Sequence, residues 1–210
     1  MYQDRETSDF YEYKVIQSCS DYASVAHIGQ LRKDKITPYI SHPSRVAFLV
    51  GRSKNASFIE ICAAWLHDVL EDCSEIKDNE FSCCIKNHEG DKKDIRHFLL
   101  NNKEINPLDG KRIMGLIYAL ISSQNKNISK QKRKEEYYRK ISSVANAPLI
   151  KYCDRIDNLM TIDVFSDSGK EWYIKDTENM ISYLDDFVYD DFIKWKLSSV
   201  LRIKNLLNSD

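Results

Sequence analysis

The sequence predicts an all-α fold, one helical bundle, on three observations. Apolar residues recur mostly every three or four positions, as one face of a helix requires, and period-two alternation is scarce. Only six glycines and four prolines occur in 210 residues, too few for a turn-dense β-sandwich. Three of those prolines, Pro43, Pro107 and Pro148, stand just ahead of apolar runs, where the first turn of a helix tolerates them.

The first helix is expected over 8–30, with apolar or aromatic side chains at 10, 11, 15, 22, 23, 25 and 26. Pro43 opens the next, through Val50. Ser57 and Glu60 have the spacing of a capping box, directly ahead of an apolar run from Ile61 to Leu70. That run is apolar on nearly every side, so its helix should be buried all round. Asn106 and Pro107 start a helix leading into Ile113–Ile121, and Ser129 caps a basic one running to about Val144. Pro148 opens another through Asp154, Asn158 and Thr161, and two more follow near 170–188 and 191–207. The polar stretch 86–112 has only a weak apolar face. It is expected to be an insertion or lid-like segment within a single domain spanning 1–210.

Charge and composition exclude several classes of function. Lys and Arg number 31 against 32 Asp and Glu, a net charge of −1, so no global pull toward nucleic acid or a membrane surface is expected. The basic run 126–140 reads either as a solvated helix face or as a patch that meets substrate phosphates. The longest stretch without Asp, Glu, Lys or Arg, Ile113–Asn125, has thirteen residues. A membrane span needs about twenty. The first residues are acidic where a secretion signal needs a basic start and an apolar run, so a cytoplasmic protein is expected. Six cysteines include no CxxC pair; Cys62 and Cys153 sit in apolar helical runs, and the set reads as reduced thiols.

The chemistry is concentrated around His67. Asp68 adjoins it, and Glu71 and Asp72 follow one turn later, so that four ionisable groups share one side of an otherwise apolar helix. Burying such groups without a compensating cation costs several kcal/mol each, on the order quoted for unpaired buried charges. No Lys or Arg lies between Phe58 and Asp72, which makes a bound divalent metal the natural compensation. His42, at a helix start, and Asp154, within a later helix, offer the further ligands. Two imidazoles and two carboxylates suit Mn²⁺, Fe²⁺ or Mg²⁺ better than a structural Zn²⁺.

Five ordered blocks carry a resemblance: His27-x-Gly29-Gln30, Arg32-Lys33, Pro38-Tyr39-Ile40-x-His42-Pro43, His67-Asp68-Val69-x-Glu71-Asp72 and Asp154-Arg155-x-x-Asn158-Leu159-x-Thr161. Together, over roughly residues 20 to 185, the chain resembles the HD-domain hydrolases of the RelA/SpoT type, which degrade guanosine tetra- and pentaphosphate. The resemblance implies an HD helical bundle around a metal-binding cleft, with His42, His67, Asp68 and Asp154 holding one Mn²⁺. It implies that Glu71 and Asp72 are the catalytic acidic pair, orienting water or returning a proton to the departing ribose oxygen. It places Arg32, Lys33, Asn158 and Thr161 on the nucleotide. The chain departs from the family pattern in the loop Asp34-Lys35-Ile36-Thr37, which lacks the glycine common there, and at Asp157, where a His or aromatic is frequent.

Three functions are compatible with these residues. The first is Mn²⁺-dependent removal of the 3′-diphosphate from guanosine alarmones. The second is phosphohydrolysis of another nucleotide, such as the 2′-phosphate of NADPH or a deoxynucleotide. The third is a non-catalytic nucleotide-sensing module, whose expected mark, loss of a ligand or an acidic residue, is not seen.

Overall fold

The computed structural model describes residues 2–73, 95–122 and 127–207, with side chains from Ser8 onward. It is helical throughout: α1 (Tyr2–Ala26), α2 (Ser41–Gly51), α3 (Phe58–Leu66), α4 (Val69–Asp72), α5 (Ile95–Asn101), α6 (Pro107–Leu120), α7 (Lys130–Ser142), α8 (Ala147–Met160), α9 (Asp167–Leu184) and α10 (Asp191–Leu207). Among the described residues there is no strand, only an isolated antiparallel bridge between Leu31 and Pro38.

Local signals set most helix starts as expected. Ser57 accepts the Ile59 amide at 3.2 Å, and Glu60 reaches back to the Ser57 amide at 2.7 Å, completing the capping box of α3. Asn106 accepts the Leu108 amide at 2.9 Å to open α6, and Ser129 caps α7 through the Lys132 amide. Helix α3 lies at the centre, packed by α1, α2, α6 and α8. Its Ile59, Cys62, Ala63, Ala64 and Leu66 are all buried, and the small side chains among them let the surrounding helices approach closely. Cys153 is buried as well, on α8, whereas Cys83 and Cys84 fall outside the described residues.

One expectation is corrected. The run from Ile61 to Leu70 is not one helix: α3 ends at Leu66, His67 and Asp68 form a turn, and α4 follows. At the break, the His67 ring pairs through Nδ1 with the Ala64 carbonyl at 2.8 Å. That is the carbonyl which a continuous helix would offer to the Asp68 amide. Of the stretch 86–112, residues 86–94 lie outside the described part, and from Ile95 onward it contributes side chains to the core. Ile95 and Leu99 are fully buried and α5 packs on α6. The two helices touch so closely at Gly110 that a Cβ there would stand 2.1 Å from the Leu99 carbonyl oxygen.

Candidate metal centre and adjoining cleft

The first turn of α2, the turn between α3 and α4, and the middle of α8 converge. One ligand atom from each of His42, His67 and Asp154 lies within 4.8 Å of the others, and all three residues are buried. His42 Nε2 is 3.2 Å and His67 Nε2 3.9 Å from Asp154 Oδ1. Asp68 meets both rings with different oxygens, Oδ2 at 3.4 Å from His42 Nε2 and Oδ1 at 3.2 Å from His67 Nε2.

Both imidazoles are held by their far nitrogens. His42 Nδ1 lies 2.6 Å from Asp157 Oδ2, and His67 Nδ1 pairs with the Ala64 carbonyl. With Nδ1–H donating in each ring, Nε2 faces the cluster and, once it has lost its proton, presents a lone pair there, the arrangement a metal-binding histidine adopts. The buried Nε2 of His67 has no hydrogen-bond partner, the signature of a site built for something other than a proton donor. Burial by itself would lower the His42 pKa, but the carboxylates of Asp154, Asp157 and Asp68 outweigh it and push the ring up to about 10. A field that strong at a proton-binding nitrogen equally favours a divalent cation. The residues present therefore fit a metal.

Charge compensation in the cluster is divided. Lys151 binds Asp154 Oδ2 at 2.7 Å; against the raising effect of burial, it and the imidazoles hold the Asp154 carboxyl well below the usual range. Asp68 is likewise held low, by His67 and His42 against burial, and it meets two imidazoles and a phenol. Part of the compensation that the sequence reading assigned to a metal is thus supplied by Lys151, one turn before Asp154 on α8. Its i, i+3 spacing was the available signal.

The expected acidic pair splits. Glu71 turns toward the end of α6, where its Oε1 accepts both the amide and the hydroxyl of Ser122 at 2.7 Å. Asp72 stays beside Asp68, and the Tyr39 hydroxyl bridges them, 2.8 Å from Asp68 Oδ2 and 2.6 Å from Asp72 Oδ2. Burial on its inner side, with Asp68 close by, pushes the Asp72 carboxyl up, although the Tyr39 contact opposes this. Tyr39 was not among the expected site residues. It is set by the loop before it: Gly29 takes a left-handed φ of 76°, the Gln30 carbonyl accepts the Tyr39 amide at 2.9 Å, and the His27 ring stacks on the phenol at 4.8 Å.

A cavity of about 330 Å³ adjoins the cluster, lined among others by Arg32, Lys33, Tyr39, Arg45, Asn158, Thr161, Phe165 and Tyr173. All four residues expected to meet a nucleotide are on its wall. Arg32 Nη2 donates to Asn158 Oδ1 and Thr161 Oγ1, each at 3.0 Å, and Lys33 Nζ sits 4.0 Å from the centre of the Phe165 ring. Asn158 in turn donates to Asp154 Oδ1 at 2.5 Å, joining the cleft to the metal centre. The loop that presents Arg32 and Lys33 closes without the family's glycine. Lys35 adopts the left-handed φ of 59°, and Asp34 ties the turn by accepting the amides of Ile36 and Thr37. Arg45 and Asp157 were also missed as site residues; their three-residue offsets from His42 and Asp154 place them on the same helix faces.

A candidate metal centre at the heart of a helical domain, beside a cation-lined cleft, is the class that fold and site define. No family model matches the sequence. A solved structure, described as a metazoan ortholog of SpoT that hydrolyzes ppGpp and plays a role in starvation responses, has the same fold. It matches with a TM-score of 0.59 and 24% identity over 91% of this chain and 96% of that one. In sequence, the chain is 28% identical over 161 residues to the guanosine-3′,5′-bis(diphosphate) 3′-pyrophosphohydrolase MESH1 of Drosophila melanogaster, covering 72% of this chain and 71% of that protein. It is 28% identical over 165 residues to the 3′-pyrophosphohydrolase of the same name from Aquifex aeolicus, covering 77% of this chain and 20% of that protein. A GTP pyrophosphokinase of Myxococcus xanthus is 23% identical over 194 residues, covering 89% of this chain and 22% of that protein. The chain thus spans about a fifth of the two bacterial relatives and most of the fly one.

Proposed function

We propose that this protein is a metal-dependent hydrolase of the HD type that removes the 3′-diphosphate from guanosine alarmones, releasing GDP or GTP and pyrophosphate. The observation that carries this reading is the junction at Asn158. One amide group touches the metal-cluster carboxylate Asp154 and, on its other side, the Arg32 guanidinium that lines the cleft. A phosphoryl group held by Arg32 would thereby lie beside the residues that would hold the ion. The names of the fly and Aquifex relatives support the choice of substrate.

In this reading His42, His67, Asp68 and Asp154 hold one Mn²⁺, with Fe²⁺ and Mg²⁺ compatible with the same donors. Such an ion lowers the pKa of a coordinated water and polarises phosphoryl oxygens. Arg32 and Lys33 bind the diphosphate, Arg32 with a planar fork suited to phosphate oxygens. Asn158 and Thr161 fix the Arg32 fork and face the ribose. Asp72, whose carboxyl is raised by burial and by Asp68, is suited to hold a proton at Oδ2 and return it to the departing ribose oxygen. Glu71, anchored on Ser122, orients water from the opposite side of α4.

The test is direct. Purified protein with Mn²⁺ is offered ppGpp, pppGpp, NADPH and deoxynucleoside triphosphates, and released pyrophosphate and phosphate are measured. Equimolar GDP and pyrophosphate from ppGpp is the expected result. Release of phosphate from NADPH with ppGpp untouched would replace the substrate, and no turnover of any of them would leave a nucleotide-sensing module.

A further inference from the structure

One carboxylate lies between the metal centre and the cleft. Asp157 is on the buried face of α8, 1% exposed, where a charge is costly unless it is paired. Its partners come from both halves of the site. Oδ2 is 2.6 Å from His42 Nδ1 and 3.2 Å from Arg45 Nη2, Oδ1 accepts the Arg45 Nε–H, and Arg32 Nη2 lies 3.5 Å from Oδ2. Arg45 stands one helical turn after His42 on α2, so a single acid opposite that helix face grips both side chains.

We propose that Asp157 is a positioning residue for both halves of the site: it fixes the His42 ring with Nε2 toward the metal, and it holds Arg45 at the cavity wall as a third cation for substrate phosphates. The proposal rests on the metal-centre reading above. A carboxylate behind a ligating imidazole sets its tautomer and increases the basicity of the ligating nitrogen. The forked contact takes the Nε and Nη2 edge of the Arg45 guanidinium and leaves its other N–H groups for an anion in the cavity that Arg45 lines. Arg32 and Lys33 reach the same cavity from the 31–38 loop, so the three cations surround it from two elements.

Mn²⁺ titrated calorimetrically into the full chain separates this proposal from the activity reading. Asp157→Asn keeps an acceptor of the same size and removes the charge; its Mn²⁺ dissociation constant is expected to rise roughly 10–100-fold. Arg45→Gln leaves the Asp157–His42 hydrogen bond intact and is expected to hold Mn²⁺ within about twofold of the unaltered chain. The same Arg45 variant should raise KM for ppGpp about tenfold with little change in kcat, as loss of a charge-assisted phosphate contact does. Unaltered Mn²⁺ affinity in Asp157→Asn would overturn the proposal while leaving the hydrolase reading standing. Absence of Mn²⁺ binding by the unaltered chain would overturn both. Should Asp157→Asn fail to fold, ¹⁵N-histidine NMR of the unaltered chain saturated with Mg²⁺ decides: a proton on His42 Nδ1 and none on Nε2 is expected, and the reverse tautomer contradicts it.

Discussion

At the scale of single residues, the Tyr39 hydroxyl is the most informative group in the site. A phenol has one proton to donate, yet this oxygen lies within hydrogen-bond distance of carboxylates on both sides, Asp68 and Asp72. One contact uses the phenol proton; the other needs a proton from a carboxyl group. Asp72, pushed upward by burial and by its acidic neighbour, is the group able to supply it. The Tyr39 hydroxyl thereby links Asp72 to Asp68 beside the His42–His67–Asp154 cluster. Tyr39→Phe removes this link and with it a charge-assisted bond of about 1.5–3 kcal/mol. It is expected to lower kcat for ppGpp roughly 10–100-fold while the fold survives, measured as turnover beside a circular dichroism melt. Turnover equal to that of the unaltered chain would make the tyrosine a packing residue only.

At the scale of elements, the break between α3 and α4 and the contact between α5 and α6 show tertiary demands prevailing over local preference. Residues 61–70 have the composition of one continuous buried helix. The chain instead turns at His67 and Asp68, which leaves both side chains inside and sends Glu71 and Asp72 to different neighbours. The α5–α6 contact permits a decision between two opposed effects at Gly110. By helix propensity alone, alanine there should stabilise α6 by about 1 kcal/mol. By packing, the new Cβ would lie 2.1 Å from a backbone carbonyl that has no free side-chain rotation with which to yield. Overpacking of a core costs about 1–3 kcal/mol, so Gly110→Ala is expected to destabilise the protein, lowering the urea midpoint at unchanged slope. A raised midpoint would show that α5 moves aside freely.

For the whole molecule, the site and the fold share their stability. If His42, His67 and Asp154 bind an ion only when folded, Mn²⁺ at a hundred times its dissociation constant adds about 2.7 kcal/mol. For a chain of this size that corresponds to a rise in Tm on the order of 5–10 °C. EDTA should reverse it and His67→Ala should abolish it; equal shifts in that variant would place the ion elsewhere. A second whole-molecule tie is Asp176 of α9, which pairs with Lys134 of α7 and, at 3.0 Å, with Arg155 of α8. Burial would raise this carboxyl, but the two cations hold it below its ordinary value. Its stabilising contribution is thus complete above the unfolded-state pKa, about 3.9, and is lost as the pH falls through the lower folded-state value. Urea unfolding of Asp176→Asn should show a deficit against the unaltered chain at pH 7 that narrows below about pH 4. A deficit of constant size across that range would mean that shape, not charge, is what Asp176 contributes.

Periodicity, caps and proline positions were enough to read the helical class and most helix starts, because those signals act within a few residues of chain: Ser57 with Glu60, Asn106 with Pro107, Ser129. The residue types at 42, 67, 68 and 154 likewise announced a cation site, since imidazoles and acids in apolar surroundings demand compensation wherever they meet. What the linear chain leaves open is every partner that comes from far along it. The 115 positions between His42 and Asp157, the 33 between Tyr39 and Asp72, and the 51 between Glu71 and Ser122 are crossed only when helices pack. Those contacts, not the identity of the residues, decide which nitrogen faces the His42–His67–Asp154 cluster, which carboxyl the Tyr39 phenol meets and which arginine reaches the cleft. A hydrogen bond depends on distance and angle in space, and sequence separation does not encode either until the core closes.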